Sequence, residues 1–205
     1  MRLHMITRSA VFGLFWLASL AAQAATLTPV GSSTSAPIAY PGSNNAVSWL
    51  IDGTPDYDQQ LVLGHPAGTA FTGPYSIVFD LGGAFDLSGM TLWNNAGYLD
   101  NDGEGIKDFD LRFLDGGMSQ LAVYSSVALD GLPPQSFGFS AVGVVYVDLV
   151  IKSNHQENSV VPRGYAALYE ISFSGVVAAV PEPETYAMLL AGLGLVGFAA
   201  RRRTV

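Results

Sequence analysis

Through the middle of this 205-residue chain, apolar and polar residues alternate in short runs, and a helical period of 3.6 is missing. Tyr75–Leu81 puts Ile77, Phe79 and Leu81 on one face. Met90–Asn94 reads as a short strand. In Ile106–Leu114, the polar set Asp108, Asp110 and Arg112 alternates with Phe109, Leu111 and Phe113, which implies one wet face and one buried face. Leu121–Val127, Gln135–Val142, Val144–Lys152 and Tyr165–Ser174 follow the same pattern. The run Val144–Lys152 is apolar on both faces, so it predicts a central strand. The breaks are glycine, proline and aspartate clusters: Gly82-Gly83, Asp115-Gly116-Gly117 and Asp130-Gly131-Leu132-Pro133-Pro134. Ala46–Ile51 fits one helical turn. Seven or eight short strands at this spacing predict an all-β fold, an antiparallel β-sandwich of the jelly-roll kind.

The two ends follow a different pattern. Residues 1–24 begin with Arg2 and Arg8, continue as an uncharged apolar core over Ala10–Ala22 and close on Ala22-Gln23-Ala24, the sequence of a secretory signal peptide. Residues 180–205 have three parts. Val180-Pro181-Glu182-Pro183-Glu184 contains two prolines one residue apart, which predicts an extended acidic hinge. Residues 186–200 are uncharged and apolar, and predict a C-terminal transmembrane helix. As a helix, 15 residues span about 22 Å, short of the ~30 Å hydrocarbon core, so the anchor is marginal. Arg201, Arg202 and Arg203 form a basic stop that the positive-inside rule keeps cytoplasmic.

That ordered set resembles the PEP-CTERM sorting signal of exopolysaccharide-producing Gram-negative bacteria. The matching residues are Val180, Pro181, Glu182 and Pro183, then the apolar helix, then Arg201, Arg202 and Arg203. The resemblance implies recognition by an exosortase at the inner membrane, transient membrane anchoring through the C-terminal helix, cleavage near the proline motif, and a final place at the cell surface or outside it.

Between the two ends lie residues 25–179, one domain by size. It holds four basic residues (Lys107, Arg112, Lys152 and Arg163) against fifteen Asp and Glu, a net charge of −11. Such a domain is repelled by phosphate backbones, which excludes nucleic acid as a partner and favours neutral sugars or divalent cations. The chain has no cysteine, so no disulfide supports the fold in an oxidising compartment.

A second resemblance runs along this domain. Asn45–Gly53, Tyr75–Gly82, Met90–Asn94, Ile106–Gly116, Val145–Lys152 and Leu168–Gly175 are similar, in order, to the pieces of the discoidin or coagulation factor 5/8 C-type (galactose-binding-like) domains. The tryptophan usual after Asp52-Gly53 is missing, as are the paired terminal cysteines of animal members. The resemblance implies a glycan-binding module with a structural Ca²⁺ between the loop at Asp52 and Glu170 near the end of the domain. The residues themselves permit it: Asp52, Asp56 and Asp58 supply three carboxylates in one turn, and calcium takes six to eight oxygens. An Asp-Gly turn held by side-chain hydrogen bonds explains the same residues without a metal. A rival acidic loop, Asp100–Gly105, starts like an EF-hand but has Leu111 where the bidentate glutamate is required, and reads as a solvated turn.

A sugar site needs an aromatic face and a few convergent polar groups. His65, Trp93, Asn94, Asn154, His155, Arg163 and Tyr165 are the loop and strand-end residues that could provide them, with core packing, plain exposure or ion pairing as the competing readings. Signals of catalysis are lacking: no nucleophile elbow, no zinc-protease motif, no phosphate loop and no thiol. Asp108 and Asp110 share one strand face, which fits solubility better than a carboxylate pair at work. The sequence therefore points to a non-catalytic, glycan-binding exported module that engages extracellular polysaccharide. The alternative is a structural protein of an exopolysaccharide or biofilm matrix with no specific sugar site.

Overall fold

A computed structural model of the chain describes residues 23–39, 46–55, 59–64, 70–95, 103–131, 133–156, 164–179 and 183–201. The signal peptide expected over residues 1–24 lies outside them except for its last two residues. So do His65, Asp56, Asp58, Arg163, Val180, Pro181, Glu182, Arg202 and Arg203.

Among the described residues eight strands form, all paired antiparallel: β1 (Ala25–Leu27), β2 (Gly31–Thr34), β3 (Leu61–Gly64), β4 (Tyr75–Asn94), β5 (Asp108–Leu114), β6 (Gln120–Val127), β7 (Gln135–Ile151) and β8 (Tyr165–Val177). A 3-10 turn over Val47–Ile51 stands where one helical turn was expected. The alternation located the five long strands but divided two of them. Tyr75–Leu81 and Met90–Asn94 are one 20-residue strand, and Gln135–Val142 and Val144–Lys152 are one 17-residue strand. The breaks read at Gly116-Gly117 and Gly131 separate β5 from β6 and β6 from β7, whereas Gly82-Gly83 is a bend inside β4. Pairing of β4 with β7 continues past Gly82-Gly83 through register shifts, and both Gly82 (φ +77°) and Gly143 (φ +69°) take the left-handed backbone that glycine adopts without strain.

Because β4 and β7 bend, each serves both layers of the sandwich. In the first layer, β2, the start of β4, the end of β7, β5 and β6 lie side by side. In the second, β1 and β3 pair with β8, β8 with the end of β4, and that with the start of β7. The inward faces close over one core that includes Ile77, Phe79, Leu92, Phe109, Leu111, Phe113, Val147, Leu149, Ile171 and Phe173. Phe79 and Phe173 meet edge to face at 5.7 Å and join the layers. Each such ring, removed from water, stabilises the domain by roughly 1.5–3 kcal/mol, and this packing replaces the absent disulfides.

At the C-terminus, a helix, α1, runs from Pro183 to Arg201. It starts earlier than the sequence reading placed it. Pro183 and Glu184, assigned above to an extended hinge, form its first turn. Proline is pre-set for the first helical position, and an acid is favoured beside the positive end of the helix dipole. Met188, Leu189, Leu190, Leu193, Leu195, Val196 and Phe198 all stand exposed along it. Among the described residues no helix is long and apolar enough to cross a membrane, so the expected transmembrane helix 186–200 is present as a helix but falls short of a full span.

Candidate ligand-binding end and cation loop

Strand registers bring one group of connections together. Tyr75 of β4 pairs with Ile151 of β7, Ile151 with Phe109 of β5, and Phe109 with Ser126 of β6. In the other layer Leu92 pairs with Gln135, and Asn94 with Leu168. The connections β3–β4, β4–β5, β6–β7 and β7–β8 therefore all leave the same end of the sandwich. Trp93, Asn94, Asn154, His155 and Tyr165 lie there. His65 and Arg163, outside the described residues, belong to the same connections.

These residues differ in what they offer. Asn94 is fully buried and spends its whole amide inside the protein. Its Nδ2 donates to the carbonyls of Ile106 and Leu129, both at 2.8 Å, and its Oδ1 accepts from the N–H groups of Ile106 (2.8 Å) and Asn95 (3.1 Å). It clamps the end of β4 to the β4–β5 and β6–β7 connections and has no group left for a sugar. Asn154, also buried, donates to the Tyr165 carbonyl at 2.5 Å and accepts from the Gln156 N–H. His155 Nε2 lies 2.9 Å from the Ala128 carbonyl. Tyr165 is buried among Ala39, Val62 and Ala167. Trp93 is half-buried. Its neighbour Leu92 points into the core, so Trp93 faces away from it, on the outer face of the second layer.

Asn95 and Gly105 belong to the same scaffold. Asn95 donates to Gln60 and accepts from the Tyr169 hydroxyl at 3.1 Å. Gly105 allows the β4–β5 connection to lie directly on backbone, since a Cβ there would stand 2.4 Å from the Asn95 carbonyl oxygen. Gln135 closes the β6–β7 loop by holding both the N–H (2.6 Å) and the carbonyl (2.8 Å) of Leu129. That loop borders a half-open pocket of about 120 Å³ lined by Leu129, Asp130, Gly131, Pro133, Pro134 and Gln135.

Beside this end stands the acidic pair expected to hold calcium. Glu170 faces Trp93 across the β4–β8 ladder, so the two share the outer face of the second layer. It is 2 % exposed. One carboxylate oxygen accepts the Gly53 N–H at 3.3 Å, and the other, Oε2, is buried with no hydrogen-bond partner among the described residues. Burial raises its pKa from 4.5 to about 7; the Gly53 hydrogen bond works against that rise and the Asp52 charge adds to it. Asp52 Oδ1 accepts the Thr54 N–H at 2.8 Å and shapes the turn. An unpartnered buried carboxylate oxygen facing a second carboxylate suits a hard cation. Among the described residues no group of three or more such ligands assembles; Asp56 and Asp58 lie outside them.

The second acid pair is committed elsewhere. Asp110 bonds Lys152 Nζ and Ser125 Oγ, each at 2.6 Å, and these hydrogen bonds hold its pKa below the usual carboxylate value, with Lys152 the larger cause. Asp108 accepts from Ser153 Oγ at 2.5 Å. Both lie on the outer face of the first layer.

Comparison with known proteins agrees with both resemblances. A profile described as the PEP-CTERM protein-sorting motif matches residues 179–203, and the chain carries that motif. Sequence comparison with curated proteins gives no match. Among solved structures, the chain is similar to the C-terminal domain of a chitobiase from Bacteroides fragilis (19 % identity, TM-score 0.57, covering 76 % of this chain and all of that one). It is similar to a family 32 carbohydrate-binding module from Clostridium perfringens NanJ, solved with galactose (14 % identity, TM-score 0.54, 70 % and 92 % covered). It is also similar to the lectin domain of lectinolysin, solved with Lewis b antigen (19 %, TM-score 0.52, 73 % and 93 % covered). At these identities the likeness establishes the fold: a galactose-binding-like, discoidin-like β-sandwich.

Proposed function

We propose that this chain is an exported, exosortase-processed surface or matrix protein whose β-sandwich binds glycan, without catalysis, at the end where the β3–β4, β4–β5, β6–β7 and β7–β8 connections meet. The observation that carries this reading is the convergence of those connections on a scaffold of buried amides, in a fold whose similar structures include several solved with sugars. In this reading Asn94, Asn154 and His155 hold the loops in shape. The sugar contacts fall to the exposed parts of the connections, to His65 and Arg163, and to the face of Trp93. Glycan-array or pull-down binding with the producing cell's polysaccharide tests it. Binding weakened by His65→Ala, Arg163→Ala or Trp93→Ala in folded protein is the expected result, and no retention by any glycan, with or without calcium, refutes it.

Calcium is part of the proposal. Asp52 and Glu170, with Asp56 and Asp58 from the same turn, would hold it. The ion would supply a positive charge that keeps Glu170 ionised and ties the turn to β8. Support comes from the orphaned Glu170 Oε2. For the tail, the proposal is a marginal, temporary anchor: the helix keeps the protein at the inner membrane until an exosortase cuts near Pro181-Glu182-Pro183, after which the domain reaches the cell surface or the medium. A purely structural matrix role remains the second reading, favoured by the acidic domain surface. It predicts that the three loop substitutions change nothing while loss of the tail motif abolishes retention.

A further inference from the structure

The opposite end of the sandwich carries apolar side chains that the core does not use. Val30, Met118, Val142 and Val177 are 71, 53, 69 and 74 % exposed. They come from four separate places in the sequence, yet the fold gathers them. Val30 lies against Gly82, where an added Cβ would stand 2.8 Å from a Val30 methyl. Val177 is paired with Phe85, and Phe85 with Val144, next to the bend that carries Val142. The Ala178 N–H donates to the Ala84 carbonyl. Leu114 pairs with Tyr146 and Gln120, so the β5–β6 turn that carries Met118 leaves the sandwich at this same end. Single exposed apolar residues are ordinary; a ring of four at one end is not.

What covers this ring follows from the chain that leaves it. Val177 ends β8, and α1 begins at Pro183. Six residues span at most about 21 Å even when fully extended. Whenever the tail helix is embedded, this end of the domain is held next to the bilayer, and the loop end proposed for glycan faces away. We infer that the tail-side end of the sandwich is a membrane contact, with Val30, Met118, Val142 and Val177 resting in the outer surface of the bilayer while the tail is attached. The inference rests on the proposed reading of the tail as an anchor.

Charge decides how the contact works. The turns at this end hold no Lys or Arg. Their acids turn one oxygen inward: Asp80 to the Gly82 N–H, Asp86 to the Gly143 N–H, and Asp115 to the Gly117 and Ser119 N–H groups, at 2.8–2.9 Å. Acidic side chains gain nothing from anionic lipid. The contact is therefore made by apolar insertion to interfacial depth, and it is insensitive to salt.

The chain has no cysteine, which permits a direct test. Met118→Cys, Val142→Cys and, as a control at the far end, Ser136→Cys would each carry an environment-sensitive fluorophore on the exported chain from Ala25 to Val205, tail included, reconstituted with phosphatidylcholine vesicles. Flotation of the chain with the vesicles reports the tail anchor separately. The expected result is flotation of all three variants, with blue-shifted emission and several-fold weaker iodide quenching at positions 118 and 142 than at 136, unchanged by salt. Flotation with equal quenching at all three positions overturns the contact and leaves the anchor standing. Failure to float overturns both.

Discussion

Replacing Glu170 by glutamine tests the cation loop through pH. The carboxyl titrates near 4.5 in the unfolded chain and near 7 in the folded, metal-free domain. A raised folded pKa means that the folded state holds its proton more tightly. Its stabilising effect is complete below pH 4.5 and is lost as pH rises through 7. At about 1.4 kcal/mol per pKa unit, the loss between pH 5 and pH 8 is at most about 2.5 kcal/mol. For a domain of this size that is a fall in Tm of roughly 5–10 °C. Calcium at the proposed site would reverse the sign. The ion needs the carboxylate ionised, so it competes with the proton and stabilises the fold more at pH 8 than at pH 5. The amide introduced by Glu170→Gln cannot ionise but keeps a side-chain oxygen for the Gly53 N–H. The variant should therefore melt at nearly the same temperature at both pH values in EDTA, and calcium should no longer raise it. The assay is thermal melting of wild type and Glu170→Gln at pH 5 and 8, each with EDTA or excess calcium. A wild-type Tm that is independent of pH in EDTA would refute the buried-carboxylate argument. A pH-dependent Tm that calcium leaves unchanged would refute the metal and spare the carboxylate.

Three further outcomes follow from other parts of the molecule. Asn94→Ala leaves the N–H and the carbonyl of Ile106 without the Asn94 amide, and should cost about 2–4 kcal/mol in denaturant unfolding; a loss below about 1 kcal/mol would mean that the clamp is not structural. Lys152→Ala removes the main partner of Asp110 on a solvated face. Its cost in thermal melting should stay under about 1 kcal/mol, shrink with salt, and vanish as pH falls through the depressed Asp110 pKa, where the carboxylate becomes neutral. Mass spectrometry of the exported protein should find a chain that ends near Pro183, and changing Arg201, Arg202 and Arg203 together to Ala should leave unprocessed chain behind; a full-length exported form in wild type would refute processing.

What could be read from the sequence depended on how far the relevant physics reaches along the chain. Alternation is local, so β5, β6 and the two halves each of β4 and β7 were legible. Whether Gly82-Gly83 ends a strand or bends it depends on the partner strand, and no local pattern records that β7 stays bonded on both sides of the bend. Leu61–Gly64 escaped notice because all four residues are buried. It pairs along β8 with no wet face, so no alternation marks it. β1 and β2, at three and four residues, are too short to show a period. The site divides in the same way. Polar residues near strand ends look alike in sequence whether they face a ligand or a buried carbonyl. Asn94 and His155 are decided by Ile106, Ala128 and Leu129, which lie 12 to 35 residues away in the chain. Glu170 was singled out only through the order of pieces shared with the discoidin-like domains, because a single acid inside an apolar strand carries no local signal of its partner. The same distinction explains why the tail was legible at once. The sorting motif is a short stretch of chain, so its information is linear, whereas the loop end and the apolar residues beside the tail come together only after strands from the whole domain have paired.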